Sequence, residues 1–135
     1  MKPIRLKPDE VRSILRGDKQ LRIIIAPQPN VNALGYLSWN GKDLGKASPE
    51  SIAPLCPYAQ PGEKRWVQES FRRGGGGSLI YLADEPWHKE AGWTPSSHMT
   101  RYESRITLEI ESVTVEQDGR EWVWVIEFKV AEVKT

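Results

Sequence analysis

The sequence predicts a mainly β fold of the α+β class: a small closed or partly open barrel of about six strands with one N-terminal helix. Three observations lead there. Toward the C-terminus, two long runs alternate apolar and polar residues with a period of two and are separated by a turn signal. Near the N-terminus a single short segment repeats apolar residues at helical spacing. Much of the remaining chain is rich in Pro, Gly, Asn and Ser, so the strands are few and joined by long loops, which favours a small barrel over a sandwich.

Taken in order, Pro3 to Leu6 reads as a short strand and Pro8 to Arg16 as a helix with Val11, Ile14 and Leu15 on one face. Its ends agree: Pro8 suits the first helical position, Asp9 and Glu10 sit at the positive end of the dipole, and Gly17 supplies a left-handed stop. Leu21 to Ala26 reads as a buried strand ended by Pro27 and Pro29. The stretch from Gln28 to Gly62 is a long excursion with one small hairpin at the Asn40-Gly41 turn signal. Arg65 to Phe71 returns to a strand pattern, and Leu79 to Ala83 forms another strand. Between them Gly74 to Gly77 with Ser78 has no side chain to pack and reads as a flexible connector of the composition used in engineered linkers. A polar, aromatic loop from Asp84 to Glu103 follows. The C-terminal hairpin runs from Ser104 to Glu116, turns at Gln117-Asp118-Gly119 and returns from Arg120 to Val130. Ile106, Leu108 and Ile110 share one parity and Val113 and Val115 the other, which requires a β-bulge near Ser112. Trp122 to Ile126 is apolar on both faces, the mark of a central strand.

The chain has 135 residues, enough for one domain, 1–135, with a single core. Its 19 basic and 18 acidic side chains leave a net charge of +1, so attraction to nucleic acid must come from a local patch. Cys56 is the only cysteine, which excludes an internal disulfide and suits a reducing cytoplasm. No window approaches the roughly 20 apolar residues that span a bilayer, so no membrane partner is expected. His98, His88 and Cys56 lack metal-ligand spacing, and neither a metal nor a cofactor is expected.

Four ordered blocks carry a family resemblance. They are Ile14-Leu15-Arg16-Gly17-Asp18-Lys19; Cys56-Pro57-Tyr58-Ala59-Gln60-Pro61-Gly62 leading to Trp66-Val67-Gln68-Glu69; Trp93-Thr94-Pro95-Ser96-Ser97-His98-Met99-Thr100-Arg101 leading to Ser104-Arg105-Ile106-Thr107-Leu108-Glu109-Ile110; and Trp122-Val123-Trp124-Val125-Ile126-Glu127-Phe128. Together they resemble the ASCH (activating signal cointegrator homology) proteins of phages and prophages, which belong to the PUA-like superfamily. The resemblance implies a β-barrel with one helix packed at its opening, related to RNA-binding domains. Relatives of this fold include RNA binders, an amidohydrolase acting on a modified cytidine, and a ribonuclease, so the fold narrows the ligand class better than the reaction. The chain departs from the family pattern at Arg22, where a threonine is usual, and at Gln117-Asp118-Gly119, where relatives carry a helical insertion. It also departs at Thr100, where a proline is usual and its loss is expected to loosen the loop.

Lys19 follows the helix stop, and the resemblance implies that its amine stands at the barrel mouth, as a phosphate contact or a general base. A lysine after a helix is otherwise ordinary solvated surface. Arg22 lies in the same region, either to clamp a ligand or to pair with Glu69 as scaffold. Glu69 matches a family carboxylate; inside a barrel it needs a partner, and Arg22, Lys19 and Arg105 are the candidates. Ser96, Ser97, His98 and Arg101, flanked by Trp93, Met99 and Tyr102, form the densest polar loop and supply both cations and flat faces for single-stranded nucleic acid. The same loop also reads as plain structure, with His98 bonded to backbone and Trp93 closing the core. Of the six tryptophans, Trp66, Trp122 and Trp124 read as barrel wall, whereas Trp87 and Trp93 lie in loops where stacking is open to them.

The leading expectation is a monomeric RNA- or nucleoside-binding protein of the bacterial host cytoplasm, using Lys19, Arg22, Trp93, Ser97, His98 and Arg101, with Lys19 and Arg101 in one cleft. The alternatives are a small hydrolase with Lys19 as base and Glu69 as carboxylate, acting on a modified nucleoside or on RNA, and a phage factor that binds a host protein.

Overall fold

In the computed structural model, which describes residues 1–46, 48–85 and 92–134, strands far outweigh helices. Trp87 and His88 lie outside the described residues. The first element is β1 (Lys2–Arg5), followed by α1 (Pro8–Leu15). α1 ends as its sequence requires: Gly17 takes φ +105°, its N–H donates to the Ile14 carbonyl at 3.0 Å, and the Asp18 N–H donates to the Ser13 carbonyl at 3.1 Å. These two bonds form a Schellman motif, which satisfies carbonyls the helix leaves open. At the other end Pro8 occupies the first turn and the Glu10 carboxylate accepts from the Lys7 N–H at 2.8 Å.

β2 (Gln20–Ile24) leads into the excursion, which holds more structure than one hairpin. It forms a three-stranded antiparallel sheet of β3 (Asn30–Val31), β4 (Tyr36–Trp39) and β5 (Lys42–Lys46), then a one-turn helix α2 (Pro49–Ile52). The β4–β5 turn is Asn40-Gly41 with both residues at positive φ, +51° and +79°, as a two-residue hairpin loop demands. Leu37 and Trp39 turn inward from β4, and the Trp39 ring meets Trp124 edge to face at 5.6 Å. The β4–β5 hairpin is the one expected at Asn40-Gly41, and of these strands the sequence reading misses only β3, a two-residue strand too short to show a pattern.

After β6 (Lys64–Gln68) come β7 (Phe71–Arg73) and β8 (Leu79–Tyr81), an antiparallel pair. The glycine run between them is a shaped turn and not a loose connector. The Gly74 N–H donates to the Ser78 carbonyl at 2.8 Å, and Gly76 and Gly77 sit at φ +71° and +80°, conformations that glycine adopts without steric cost.

The last two strands, β9 (Ile106–Asp118) and β10 (Glu121–Val133), form the long hairpin. Ser112 pairs with Glu127 while Ile110 pairs with Phe128, so Glu111 is the extra residue of a β-bulge. The bulge accounts for the parity switch: Ile106, Leu108 and Ile110 before it and Val113 and Val115 after it are all buried. Val123, Trp124, Val125 and Ile126 are buried on both faces of β10.

The main sheet has the order β1-β6-β9-β10-β2, with β1 parallel to β6 and the other neighbours antiparallel. It does not close into a barrel: no ladder joins β1 to β2 among the described residues. Their outer edges instead border one groove, because Pro3 and Arg5 of β1 and Arg22, Ile23 and Ile24 of β2 all line it. The sheet therefore curls until its two edges face one another across a gap that no strand fills.

Trp124 is 1% exposed at the centre of this core, so Trp124→Ala is expected to lose about 3–5 kcal/mol of stability in denaturant unfolding. A loss below about 1 kcal/mol would show that the indole is not packed there. In the glycine turn, Gly76→Ala should cost about 1–2 kcal/mol for its left-handed φ. Gly75→Ala, which meets open space at an ordinary φ, should be neutral or slightly stabilising. Equal melting temperatures for the two variants would contradict the turn geometry.

Candidate functional site

The groove between the sheet edges has a volume of about 830 Å3. Its lining combines cations, a tyrosine and neutral hydrogen-bonding groups: Arg5, Lys7, Arg22, Tyr58, Gln68, Ser70 and Ser96. Asp9 and Glu10 from the start of α1 also border it, with Pro3, Leu6, Pro8, Ile23 and Ile24 as apolar wall. A second cleft of about 280 Å3, beside Val113 and Val115, offers far less chemistry, with Glu50 its only charged side chain.

Local structure explains why polar groups are available in the groove. In β2 the Lys19 carbonyl accepts from Phe128 N–H at 3.0 Å and Ile25 N–H donates to Trp122 at 3.1 Å. Antiparallel pairing alternates, so the main chain of the odd-numbered residues bonds to β10 and that of Gln20, Arg22 and Ile24 points away from it. Arg5 and Lys7 have no ion-pair partner among the described residues. Arg22 is partly neutralised, with its Nη1 2.8 Å from Glu116 and its Nη2 3.8 Å from Asp118. Both contacts are solvent-exposed and worth little, so the guanidinium can exchange them for another anion.

Of the six ligand-binding candidates from sequence, Arg22 alone lines the groove. Lys19 is exposed in the turn that leads into β2. Ser97, His98 and Arg101 are exposed on the loop whose Ser96 lines the groove. That loop is held by its buried Met99, whose carbonyl accepts from Gln68 Nε2 at 3.1 Å. Thr100 tightens the loop where loosening was expected. Its N–H and its hydroxyl both donate to Glu103, at 3.0 and 2.9 Å, and a proline at this position would lack the N–H. Burial acts to raise the Glu103 pKa, yet the Thr100 hydrogen bonds and the Arg73 charge, 2.6 Å away, outweigh it and hold the carboxyl below its ordinary value. Trp93 is half-buried and Arg72 stands over its ring at 5.0 Å, so a cation already covers one stacking face.

Glu69 finds the third of its three candidate partners. It is 1% exposed, and its carboxylate receives Arg105 Nε at 3.1 Å and Nη2 at 3.0 Å in a bidentate pair. Arg105 also donates to both Asp84 oxygens, at 2.8 and 3.0 Å, and its guanidinium lies 4.0 Å from the Tyr81 ring centroid. Burial raises the Glu69 pKa above the ordinary carboxylate value in spite of Arg105. Arg105 is shifted upward too: burial works against its charge, but the hydrogen bonds to Glu69 and Asp84 prevail. Glu69 does not line the groove, so the geometry gives it the task of fixing β6 to the start of β9. Cys56 is buried and its thiol is pushed up by that burial, which leaves it a packing residue.

No family model, curated protein or solved structure matches the chain. Sequence reasoning did not single out Arg5, Lys7, Tyr58, Gln68 and Ser70 as site residues. Only the parallel pairing of β1 with β6, across a long crossover, brings them together, although Tyr58 and Gln68 stand within blocks that carry the family resemblance.

The Glu69–Arg105 pair makes a signed pH prediction. A carboxyl whose folded-state pKa is raised holds its proton more tightly when folded, so its contribution is present below the unfolded value near 4.5 and is lost as pH rises through the higher folded value. Glu69→Gln, which mimics the protonated group, should therefore gain stability relative to the native chain as pH rises from 4 to 7. Arg105→Ala should lose about 3–5 kcal/mol at neutral pH, because it strands a buried carboxylate. Urea unfolding of both variants across that range checks the signs.

Proposed function

We propose that the chain is an ASCH-type, PUA-like domain of phage or prophage origin that binds single-stranded RNA or a nucleoside in the groove between β1 and β2. The observation that carries this reading is the groove's lining. Two cations without ion-pair partners among the described residues, a third held only by exposed contacts, a tyrosine and several neutral hydrogen-bonding side chains meet in one recess, with Asp9 and Glu10 at its border. Single-stranded nucleic acid requires phosphate contacts, a stacking face and groups that meet base edges, and Arg5, Lys7 and Arg22, Tyr58, and Gln68, Ser70 and Ser96 are suited to those three tasks.

The four sequence blocks support the same reading, and the open sheet then corresponds to a PUA-like barrel left unclosed at its binding side. Lys19, Ser97, His98 and Arg101, exposed but outside the groove's lining, remain candidates for further contacts to a longer strand. In this reading the protein acts as a monomer in the host cytoplasm. The geometry supports binding over hydrolysis, since both Glu69 oxygens are committed to Arg105 and the carboxylate stands apart from the groove. Nothing in the geometry singles out a host protein as partner.

A titration of labelled single-stranded RNA at several salt concentrations tests the proposal. Arg5→Ala and Lys7→Ala should each lower the slope of log affinity against log salt by about 0.7, the single-strand value per phosphate contact. Tyr58→Ala should cost about 1–3 kcal/mol and leave that slope nearly unchanged. Lys19→Ala and Arg101→Ala in the same series determine whether those two residues take part. Native affinity in folded Arg5, Lys7 and Tyr58 variants would refute the assignment.

A further inference from the structure

Gln68 differs from every other polar side chain of the groove. It is 8% exposed, and one end of its amide is fixed: Nε2 donates to the Met99 carbonyl at 3.1 Å. A carbonyl can only accept, so the amide cannot be turned round without setting two acceptors against each other. The other end, Oε1, is thereby held in one direction, and no described residue donates to it. Among the described residues the one buried side-chain polar atom that lacks both a partner and solvent is Arg65 Nε, so Gln68 Oε1 keeps some solvent access, and the residue lines the groove. The outcome is a recessed acceptor, aimed by the backbone of the 96–101 loop, with its hydrogen-bonding capacity unused.

We infer that Gln68 is the specificity-determining residue of the groove, and that it selects a nucleobase offering an unpaired N–H donor. The inference rests on the RNA-binding reading and makes it narrower. A base that enters must give up water, and if it cannot donate to Oε1 it leaves that acceptor desolvated and unsatisfied, a cost about equal to a lost buried hydrogen bond. Hydroxyls do not discriminate in this way, because Ser70, Ser96 and Tyr58 can each rotate to donate or accept. Two consequences follow for the ligand. In a duplex the Watson–Crick N–H of each base is engaged by the opposite strand, and any remaining amino N–H lies within a groove of the helix, out of reach of a recessed acceptor, so single strands are preferred over paired RNA. A base whose N–H is methylated away, or whose amino group is replaced by hydrogen, is rejected even where its phosphates and stacking face are unchanged.

The test uses the full chain and two pairs of short single strands, each pair differing in one donor group: oligoadenylate against the same oligomer of purine ribonucleoside, which lacks the amino group, and oligouridylate against the oligomer of 3-methyluridine, which lacks the ring N–H. A duplex of the two natural strands completes the set. For whichever natural strand binds more tightly, removal of the donor should weaken binding about tenfold, the size expected for one unsatisfied buried acceptor. The duplex should bind more weakly than that strand. Gln68→Met keeps the length of the side chain without the acceptor, and it should bring the two members of the pair to within about twofold. The readout is this ratio: a purely structural loss from the broken Met99 bond would weaken both members alike and leave the ratio intact. Gln68→Glu loses the bond to Met99 and sets an oxygen against that carbonyl, so it should weaken binding of both members of the pair, but it retains an acceptor and should keep the preference for the donor-bearing base. A native protein that binds single strands but does not distinguish the pair, or a Gln68→Met protein that still does, overturns the role of Gln68 and leaves the groove reading standing. Absence of salt-sensitive binding to any strand overturns both.

Discussion

The bulge at Glu111 is the constraint from which the rest of the architecture follows. A strand of uniform parity could bury Ile106, Leu108 and Ile110 or Val113 and Val115, but not both sets against one core. One extra residue reconciles them, and it also bends β9 and strengthens its twist. β10 follows that bend through its whole ladder with β9 and passes it to β2. On the opposite side β6 pairs with Thr107 to Glu109, the part of β9 ahead of the bulge, and carries β1 beside it. The curvature of one hairpin thus carries two strands from opposite ends of the sheet order to the borders of a single groove.

An unclosed sheet carries a liability, since unpaired edges invite pairing with other chains. The edge sequences blunt it. β1 carries Lys2, Pro3 and Arg5, and β2 carries Gln20 and Arg22, residues that discourage a further strand from docking. Arg5 and Arg22 are also groove-lining cations. The side chains that keep the edges from aggregating are therefore also the ones that give the groove its positive charge, so protection of the fold and the character of the groove place the same demand on these positions.

What could be read from the sequence follows the range of the interactions involved. The α1 stop at Gly17, the Asn40-Gly41 turn, the bulge and the two-sided burial of β10 each depend on neighbours in the chain, and their signals are local. The glycine run has a local signal as well, but composition alone equates absence of side chains with looseness; the Gly74–Ser78 hydrogen bond and the β7–β8 ladder give it shape. The absence of barrel closure is not written in any segment, because it depends on how far the accumulated twist separates β1 from β2. For the same reason Arg22 was identified as a site residue and Arg5 and Lys7 were not. One follows a recognisable helix stop and motif, while the others become neighbours of the site only through parallel pairing over a long crossover.

The exit of β6 shows how scaffold and recognition divide between adjacent residues. Val67 fills the core, Gln68 ties the 96–101 loop through Met99, and Glu69 ties the first residues before β9 through Arg105. Ser104 adds a third tie, its hydroxyl donating to the Val67 carbonyl at 2.7 Å. Three successive positions thus fasten two parts of the chain, the loop at Met99 and the Ser104-Arg105 pair, to one strand end, and each fastening uses a buried polar side chain that would be costly without a partner. Glu69 spends both carboxylate oxygens in doing so, and it becomes scaffold. Gln68 spends only its donor, and its acceptor remains directed by the same framework. Glu69 is thereby withdrawn into the scaffold, whereas Gln68 is anchored at one end and also lines the groove, and this asymmetry between neighbouring residues is what makes a structural junction one wall of the groove.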